Sequence, residues 1–327
     1  MARSENQKLK LLYIRDMLLS ETDEDHPLTV ADIIAKLENV GINAERKSVY
    51  SDIALLEDYG IDIICTKGKS NNYHVASRDF ELAELKLLAD TVAASKFISL
   101  NKSNQLIKNI EKLASRHEAH QIGRQVFVEN RIKSQNESIF YNIDSIHRAI
   151  AENKEISFLY FKIAPDKTKK YRNSKERYVC SPYGLTYNDG NYYLVGYFAK
   201  YDKIVSFRVD RMERIEISET NRYEGEACES FDMVKFCREN FSMFGGESQF
   251  LTLAFDNSLS DVVFDRFGTE VTVSTLDENS FSVRVAVNMS PQFYGWLAGL
   301  GDKAKILSPD SAKQLYTEHL KNILKSH

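Results

Sequence analysis

Residues 177–211, RYVCSPYGLTYNDGNYYLVGYFAKYDKIVSFRVDR, constrain the fold of this chain more than any other stretch. Apolar and polar residues alternate there in short runs rich in β-branched and aromatic side chains, the period of strands whose two faces differ. Asn188-Asp189-Gly190-Asn191 separates the runs 185–187 and 192–198, and Asp-Gly suits a tight hairpin because Gly190 tolerates positive φ. A β-meander is expected, with its register fixed by that turn. In 192–198, Tyr193, Val195 and Tyr197 share one face and Tyr192, Leu194, Gly196 and Phe198 the other. Both faces are largely apolar, so one is expected to line a core and the other to meet a partner. In the next strand, 204–211, Val205, Phe207 and Val209 alternate with Ser206, Arg208 and Asp210. Arg208 and Arg211 flank one carboxylate. Spacing alone favours a surface ion pair of small energy over an anion site in which Asp210 orients an arginine fork toward phosphate or carboxylate.

With 327 residues and 43% hydrophobic content, the chain can bury a substantial core and exceeds one average domain, so two to four units are expected. No apolar run approaches membrane-spanning length, and the first ten residues are too polar for a signal-peptide core, which predicts a cytoplasmic protein with no membrane partner. Cys65, Cys180, Cys228 and Cys237 lie among apolar neighbours without paired metal-ligand spacing and read as reduced and structural. No nucleophile-base-orienter set, metal-ligand spacing or phosphate loop occurs, so neither catalysis nor a cofactor is expected. The formal charge of -4 argues against a generally basic nucleic-acid binder, but it is unevenly spread. Residues 140–222 hold fifteen Lys and Arg against eleven Asp and Glu, whereas 223–327 hold nine against fifteen. The central segment suits an anionic ligand, although ordinary solvated surface gives the same difference.

At the N-terminal end, residues 8–19 carry Leu9, Leu12, Tyr13 and Met17 at helical spacing and stop at the acidic run 21–25 and Pro27. Thr29 with Asp32 predicts a capping box for a second helix, with Val30, Ile33, Ile34 and Leu37 inward and a stop at Gly41. Residues 44–59 repeat the pattern with Val49, Ile53 and Leu56, closed by Gly60. Two short strands, 61–65 and 73–75, then flank a polar tip. Three short helices followed by a hairpin make a winged helix-turn-helix over residues 1–76. Its third helix would be the reader of duplex DNA: Arg46, Lys47, Ser48, Tyr50 and Ser51 lie near the end that enters a major groove, and Lys67 and Lys69 on the wing would neutralise phosphates. The acidic net charge of the region favours the other reading, a helical domain with protein contacts on this face; the Arg46-Lys47 pair and the wing lysines favour DNA.

Residues 77–99, with Ser77 as cap and a stripe of Leu82, Leu85, Leu87 and Leu88, and residues 104–114 read as helices of a connector over 77–138. A short strand is expected at 126–128. A helix at 143–150 enters a small barrel over 139–222, whose first strand is 155–161 and whose lysine-rich segment 162–175 reads as solvated loop. From 223 to 327 the order is strand 251–255, helix 259–267, strands 270–275 and 280–287, helix 291–300 and strand 304–307. That is βαββαβ, a ferredoxin-like unit. Ser290-Pro291 and Ser308-Pro309 would each start a helix, and Trp296 reads as core.

Several of these residues together resemble the WYL domain of bacterial regulators. Its Pro-Tyr-Gly-Leu turn appears as Pro182-Tyr183-Gly184-Leu185, its Trp-Tyr-Leu strand as Tyr192-Tyr193-Leu194 followed by Gly196-Tyr197, and its Phe-Arg-x-Asp-Arg strand as Phe207-Arg208-Val209-Asp210-Arg211. Tyr192 stands where the name-giving Trp would. Arg46-Lys47-Ser48-Val49-Tyr50-Ser51-Asp52-Ile53 likewise resembles the recognition helix that precedes such domains, and residues 223–327 resemble the extension found beyond them. The resemblance implies a multidomain α+β regulator with a winged helix-turn-helix, a helical connector, a Sm-like or SH3-like barrel and a C-terminal extension. It further implies a homodimer on a double-stranded DNA operator and an effector in the barrel, a nucleotide or single-stranded nucleic acid. Tyr183, Tyr193, Arg208 and Arg211 occupy motif positions implicated in ligand contact, with Asp210 orienting; Tyr160 and Arg177 are added as candidates. Two other classes remain open: a single-stranded nucleic-acid-binding module without transcriptional output, and an enzyme acting on a nucleotide.

Overall fold

The computed structural model describes residues 7–122, 138–229 and 231–326. Contacts divide the chain into two units, residues 1–137 and 138–327. The first begins with helix α1 (Gln7–Glu21), strand β1 (Leu28–Thr29), helices α2 (Val30–Asn39) and α3 (Arg46–Asp58), and strands β2 (Ile63–Thr66) and β3 (Asn72–Val75). Thr29 caps α2 through the expected box: its hydroxyl accepts from Asp32 N at 3.2 Å and its own backbone N donates to Asp32 Oδ2 at 2.9 Å. Gly41 and Gly60, both at positive φ, end α2 and α3. Val49, Ile53 and Leu56 bury against Ile33 and Leu37 as their spacing predicts. On α1 only Met17 of the expected residues is buried. Leu9, Leu12 and Tyr13 are exposed, while Lys10, Ile14, Met17 and Leu18 face inward, the i, i+4 stripe that Ile14 and Leu18 define. Leu28 pairs with Tyr73, so β1 joins the hairpin to make a sheet ordered β1-β3-β2.

Helices α4 (Leu82–Ala94), α5 (Leu100–Glu111) and α6 (Arg116–Ile122) follow. A single helix over 77–99 does not form. The backbone N of Glu81, not Ser77, opens α4 by donating to Glu84 at 2.9 Å, Ser95 leaves the helix in an extended conformation, and Ser99 caps α5 through Lys102 N. The leucine stripe is only half covered: Leu85 is buried, Leu87 and Leu88 are exposed. The strand expected at 126–128 lies outside the described residues.

The second unit opens with α7 (Ile139–Ala151) and strands β4 (Lys154–Ile163), β5 (Lys169–Tyr171), β6 (Tyr178–Asn188), β7 (Asn191–Phe198), β8 (Lys203–Arg208) and β9 (Met212–Asn221). They form a curled antiparallel sheet, β5-β4-β6-β7-β8, with β9 paired along the other edge of β4 at residues 154–160. Asp189 and Gly190 both take positive φ in a two-residue turn between paired Asn188 and Asn191. Both faces of β7 are covered within this unit, so the expected partner-facing side is absent; of its residues only Tyr192 is not fully buried. The strand predicted over 204–211 stops at Arg208, and 209–211 form a 3-10 turn that buries Val209 and sets Asp210 and Arg211 beside the strand end. The supposed loop 162–175 contains β5, whose Tyr171 pairs with Phe161. Asn142 on α7 donates to Met212 O at 2.9 Å, fixing the helix to the sheet.

The chain continues through α8 (Glu226–Glu229) and α9 (Met233–Glu239) into β10 (Glu247–Asp256), α10 (Ser260–Phe267), β11 (Thr272–Asp277), β12 (Ser280–Met289), α11 (Pro291–Gly299), β13 (Ala304–Ser308) and α12 (Asp310–Lys325). The sheet is antiparallel in the order β11-β12-β10-β13. Its apolar face, Leu251, Leu253, Phe255, Val283 and Val285, packs with Phe293 and Leu297 of α11, and Trp296 joins this core. Ser290 caps α11 as expected; Ser308 instead ends β13 and Pro309 occupies the cap of α12. Among the described residues no helix is long and apolar enough to cross a membrane, and no cluster of His, Cys, Asp and Glu could hold a metal.

Candidate anion-binding site

The end of β8 meets a cavity of about 500 Å³. Arg208 donates from Nε to Asp210 Oδ1 at 3.0 Å and from Nη2 to Asp210 Oδ2 at 2.8 Å, and Nη2 also reaches Asn191 Oδ1 at 2.8 Å. Arg211 Nε stands 3.7 Å from the same carboxylate. The 3-10 turn makes this possible, because it brings residues two and three positions along the chain back onto the strand's last side chain. Tyr160 on β4 accepts from Arg208 N at 3.1 Å, and Arg172, just past β5, lies over its ring with 5.6 Å from guanidinium carbon to centroid.

Arg172, Lys203, Arg208 and Arg211 line the cavity, and among the described residues no carboxylate does. Asp210 lies behind Arg208 and is not part of the lining. Its hydrogen bonds raise the Arg208 pKa further, so that residue stays charged. Burial raises the Tyr160 and Tyr193 phenols above their ordinary value, which keeps both neutral at neutral pH. Four cations facing one cavity are suited to an anion, and a held guanidinium binds it with less ordering cost than a free one.

Of the seven residues read from the sequence as ligand-binding, the structure brings Tyr160, Tyr193, Arg208 and Arg211 onto one cavity with Asp210 behind them. Arg177 is elsewhere: it donates to Ser157 O at 3.0 Å and to Arg214 O at 2.6 Å and pairs with Glu216, tying β4 to β9. Tyr183 also lies outside the lining, with its hydroxyl donating to Tyr223 O and its ring 5.2 Å from Arg222. Sequence reading missed Arg172 and Lys203, and it missed the remaining wall, where Phe244, Asn240 and Asn288 come from the C-terminal part of the unit. The Phe161 and Tyr171 that pair across β4 and β5 were the available signal for Arg172. That wall has none, since nothing local in residues 236–246 or around Asn288 indicates what they pack on.

In the first unit, Arg46, Lys47, Tyr50 and Ser51 are exposed on α3, and Lys67 and Lys69 are exposed at the β2–β3 tip. Ser48 turns away from that group and accepts a hydrogen bond from Lys10 Nζ, which also pairs with Asp52 at 2.8 Å. The acidic excess of this region is partly consumed internally. Glu21 pairs with Lys36 and Arg116, Asp23 is buried against Ser115 and His26, and Asp32 serves the cap.

The sequence profile of the WYL domain matches residues 141–217, and that of the WCX domain matches residues 248–324. The chain carries both domains. Among solved structures it is similar to proteasome accessory factor B/C (PafBC) of Arthrobacter aurescens, at 16% identity and TM-score 0.29, covering 97% of this chain and 46% of that one. This chain therefore spans about half the length of that protein. No curated protein gives a significant match. The two matched segments place Tyr160, Arg172 and Arg208 in the WYL domain and Asn288 in the WCX domain, with the wall residues 236–246 between them.

Proposed function

We propose that this chain is a ligand-responsive DNA-binding transcription regulator, in which the WYL domain binds an anionic effector and residues 1–76 read duplex DNA. The observation that carries the reading is the cavity at the end of β8, where four cations converge, no carboxylate among the described residues lines the wall, and Asp210 holds Arg208 in place. The strand order β9-β4-β6-β7-β8 supports a Sm-like barrel for this domain, and β11-β12-β10-β13 supports a ferredoxin-like WCX domain. For DNA binding, the support is α2 and α3 joined by a short turn beside a small sheet, the layout of a winged helix-turn-helix with α3 as reader. Arg46 and Lys47 stand exposed at the end of α3 that would enter the groove, while much nearby acid is neutralised within the unit. One such helix reads only a few base pairs, so the reading includes a homodimer on paired half-sites. It assigns binding without turnover, in the cytoplasm.

Footprinting with the full chain on the DNA upstream of its own coding sequence tests this reading. Two protected half-sites about one helical turn apart are expected. Binding to single strands alone would instead favour a nucleic-acid-binding module without transcriptional output, and turnover of a nucleotide would favour an enzyme.

A further inference from the structure

Charge accounts for one side of the cavity only. Asn240 and Asn288 also line it, although they are just 1% and 7% exposed. Asn240 Nδ2 donates to Phe236 O at 2.7 Å, and Asn288 Nδ2 donates to Asn240 Oδ1 at 2.8 Å. This chain of bonds fixes both amide orientations, because reversing either would set donor against donor or acceptor against acceptor. Asn288 Oδ1 is thereby left as an acceptor at the cavity to which no protein group donates among the described residues. That oxygen is not sealed from solvent, so a donor entering the cavity can reach it.

Phe244 lines the same cavity and remains 53% exposed. Its backbone is braced. Phe244 N donates to Phe241 O at 3.0 Å, and Ser206 Oγ on β8 donates to the neighbouring Met243 O at 2.8 Å. A Cβ at Gly246 would sit 2.3 Å from Met289 O, so only glycine lets the turn lie this close to β12. Ser242 and Met243 hold positive φ in this turn, a conformation that surrounding contacts must enforce. The lining thus adds an aromatic side chain and a hydrogen-bond acceptor, carried on a braced turn and a strand, to the four cations.

We propose that Phe244 and Asn288 form a base-reading wall, and that the site selects an anionic nucleotide unit whose base carries an exocyclic amino group. The phosphate would meet the arginines, the planar base would cover the Phe244 ring, and the amino group would donate to Asn288 Oδ1. A cavity of about 500 Å³ is of the size that holds one such unit. The proposal rests on the anion-site reading above. The same unit occurs free and within a single strand.

Calorimetric titration of the full chain separates these points. The ligands are inorganic phosphate, adenosine 5′-monophosphate and purine riboside 5′-monophosphate, which lacks the amino group; a 5′-phosphorylated oligodeoxyadenylate and its purine counterpart form a second pair. Within at least one pair, the amino-bearing ligand should bind roughly tenfold tighter, and the pair showing the preference identifies the source. Asn288→Ala should abolish that preference, while Phe244→Ala should weaken both members together and leave phosphate binding unchanged. If Asn288→Ala fails to fold, the comparison within each pair on the wild-type chain still decides. Equal affinity within both pairs, a preference that survives Asn288→Ala, or phosphate binding with no gain for any nucleotide would overturn the proposal. In those cases, loss of phosphate affinity in Arg208→Lys would show that the anion site itself stands; no loss there would remove the anion site as well.

Discussion

Asp210 grips Arg208 at two points, Nε to Oδ1 at 3.0 Å and Nη2 to Oδ2 at 2.8 Å, and leaves the rest of the guanidinium edge to Asn191 and the cavity. The pair lies at the end of β8 and in the turn after it, where the side chain of Arg208 is about one-third exposed. Its worth is therefore in placing a donor more than in stability. Lysine at this position keeps the charge but loses the planar fork. Arg208→Lys should weaken binding of an anion such as phosphate by roughly tenfold while changing folding stability by about 1 kcal/mol or less. Calorimetry and thermal melting of the same preparation check both numbers.

Much of this geometry was legible in the sequence because it is local. Asp189-Gly190 announced the hairpin, Thr29 and Asp32 announced the cap, and the spacing of Val49, Ile53 and Leu56 announced the buried face of α3. The Arg208-Asp210 pair was legible as a pair, although the strand expected to carry it ends one residue after Phe207. What failed was non-local. Arg177 is rich in donors and close to the motif in sequence, yet its bonds to Ser157, Arg214 and Glu216 tie strands together. Ser48 sits among outward residues but is taken by Lys10 of α1. Asn240 and Asn288 are distant from the arginines in sequence and meet the cavity only through tertiary packing, which no periodicity records.

The close crossing of β6 and β7 gives a stability prediction. A Cβ on Gly196 would lie 2.5 Å from Ser181 O and 2.7 Å from Cys180 Sγ. Ser181 pairs with Tyr197 and Cys180 is buried, so neither can move without disturbing the sheet. Gly196→Ala should destabilise this unit by about 1–3 kcal/mol. Urea unfolding followed by fluorescence measures it, and an unchanged midpoint would show that the strands separate easily here.

Asp23 sets an acid limit on the first unit. Burial alone would raise its pKa, but hydrogen bonds from Ser115 at 2.5 Å and His26 at 2.6 Å, with the charge of His26 and His117 nearby, outweigh that and hold it below the ordinary value. A folded pKa below the unfolded one, about 3.9, means that the carboxylate stabilises the fold fully above that pH. The contribution is lost as pH falls through the folded pKa. Asp23→Asn should therefore lower the melting temperature at pH 7, and its difference from wild type should shrink as pH drops below about 4. A difference that is constant from pH 7 to pH 3 would assign the effect to packing instead.

The most direct test of the regulator account is the affinity of Arg46→Ala, Lys47→Ala for the duplex protected by the wild-type chain, measured by fluorescence anisotropy at fixed salt. Both side chains are exposed while Val49, Ile53 and Leu56 form the buried face of α3, so the melting temperature should not change. The account predicts at least a tenfold loss of duplex affinity and a shallower dependence on salt, as phosphate or base contacts disappear. Wild-type affinity and salt dependence in the double variant would contradict it.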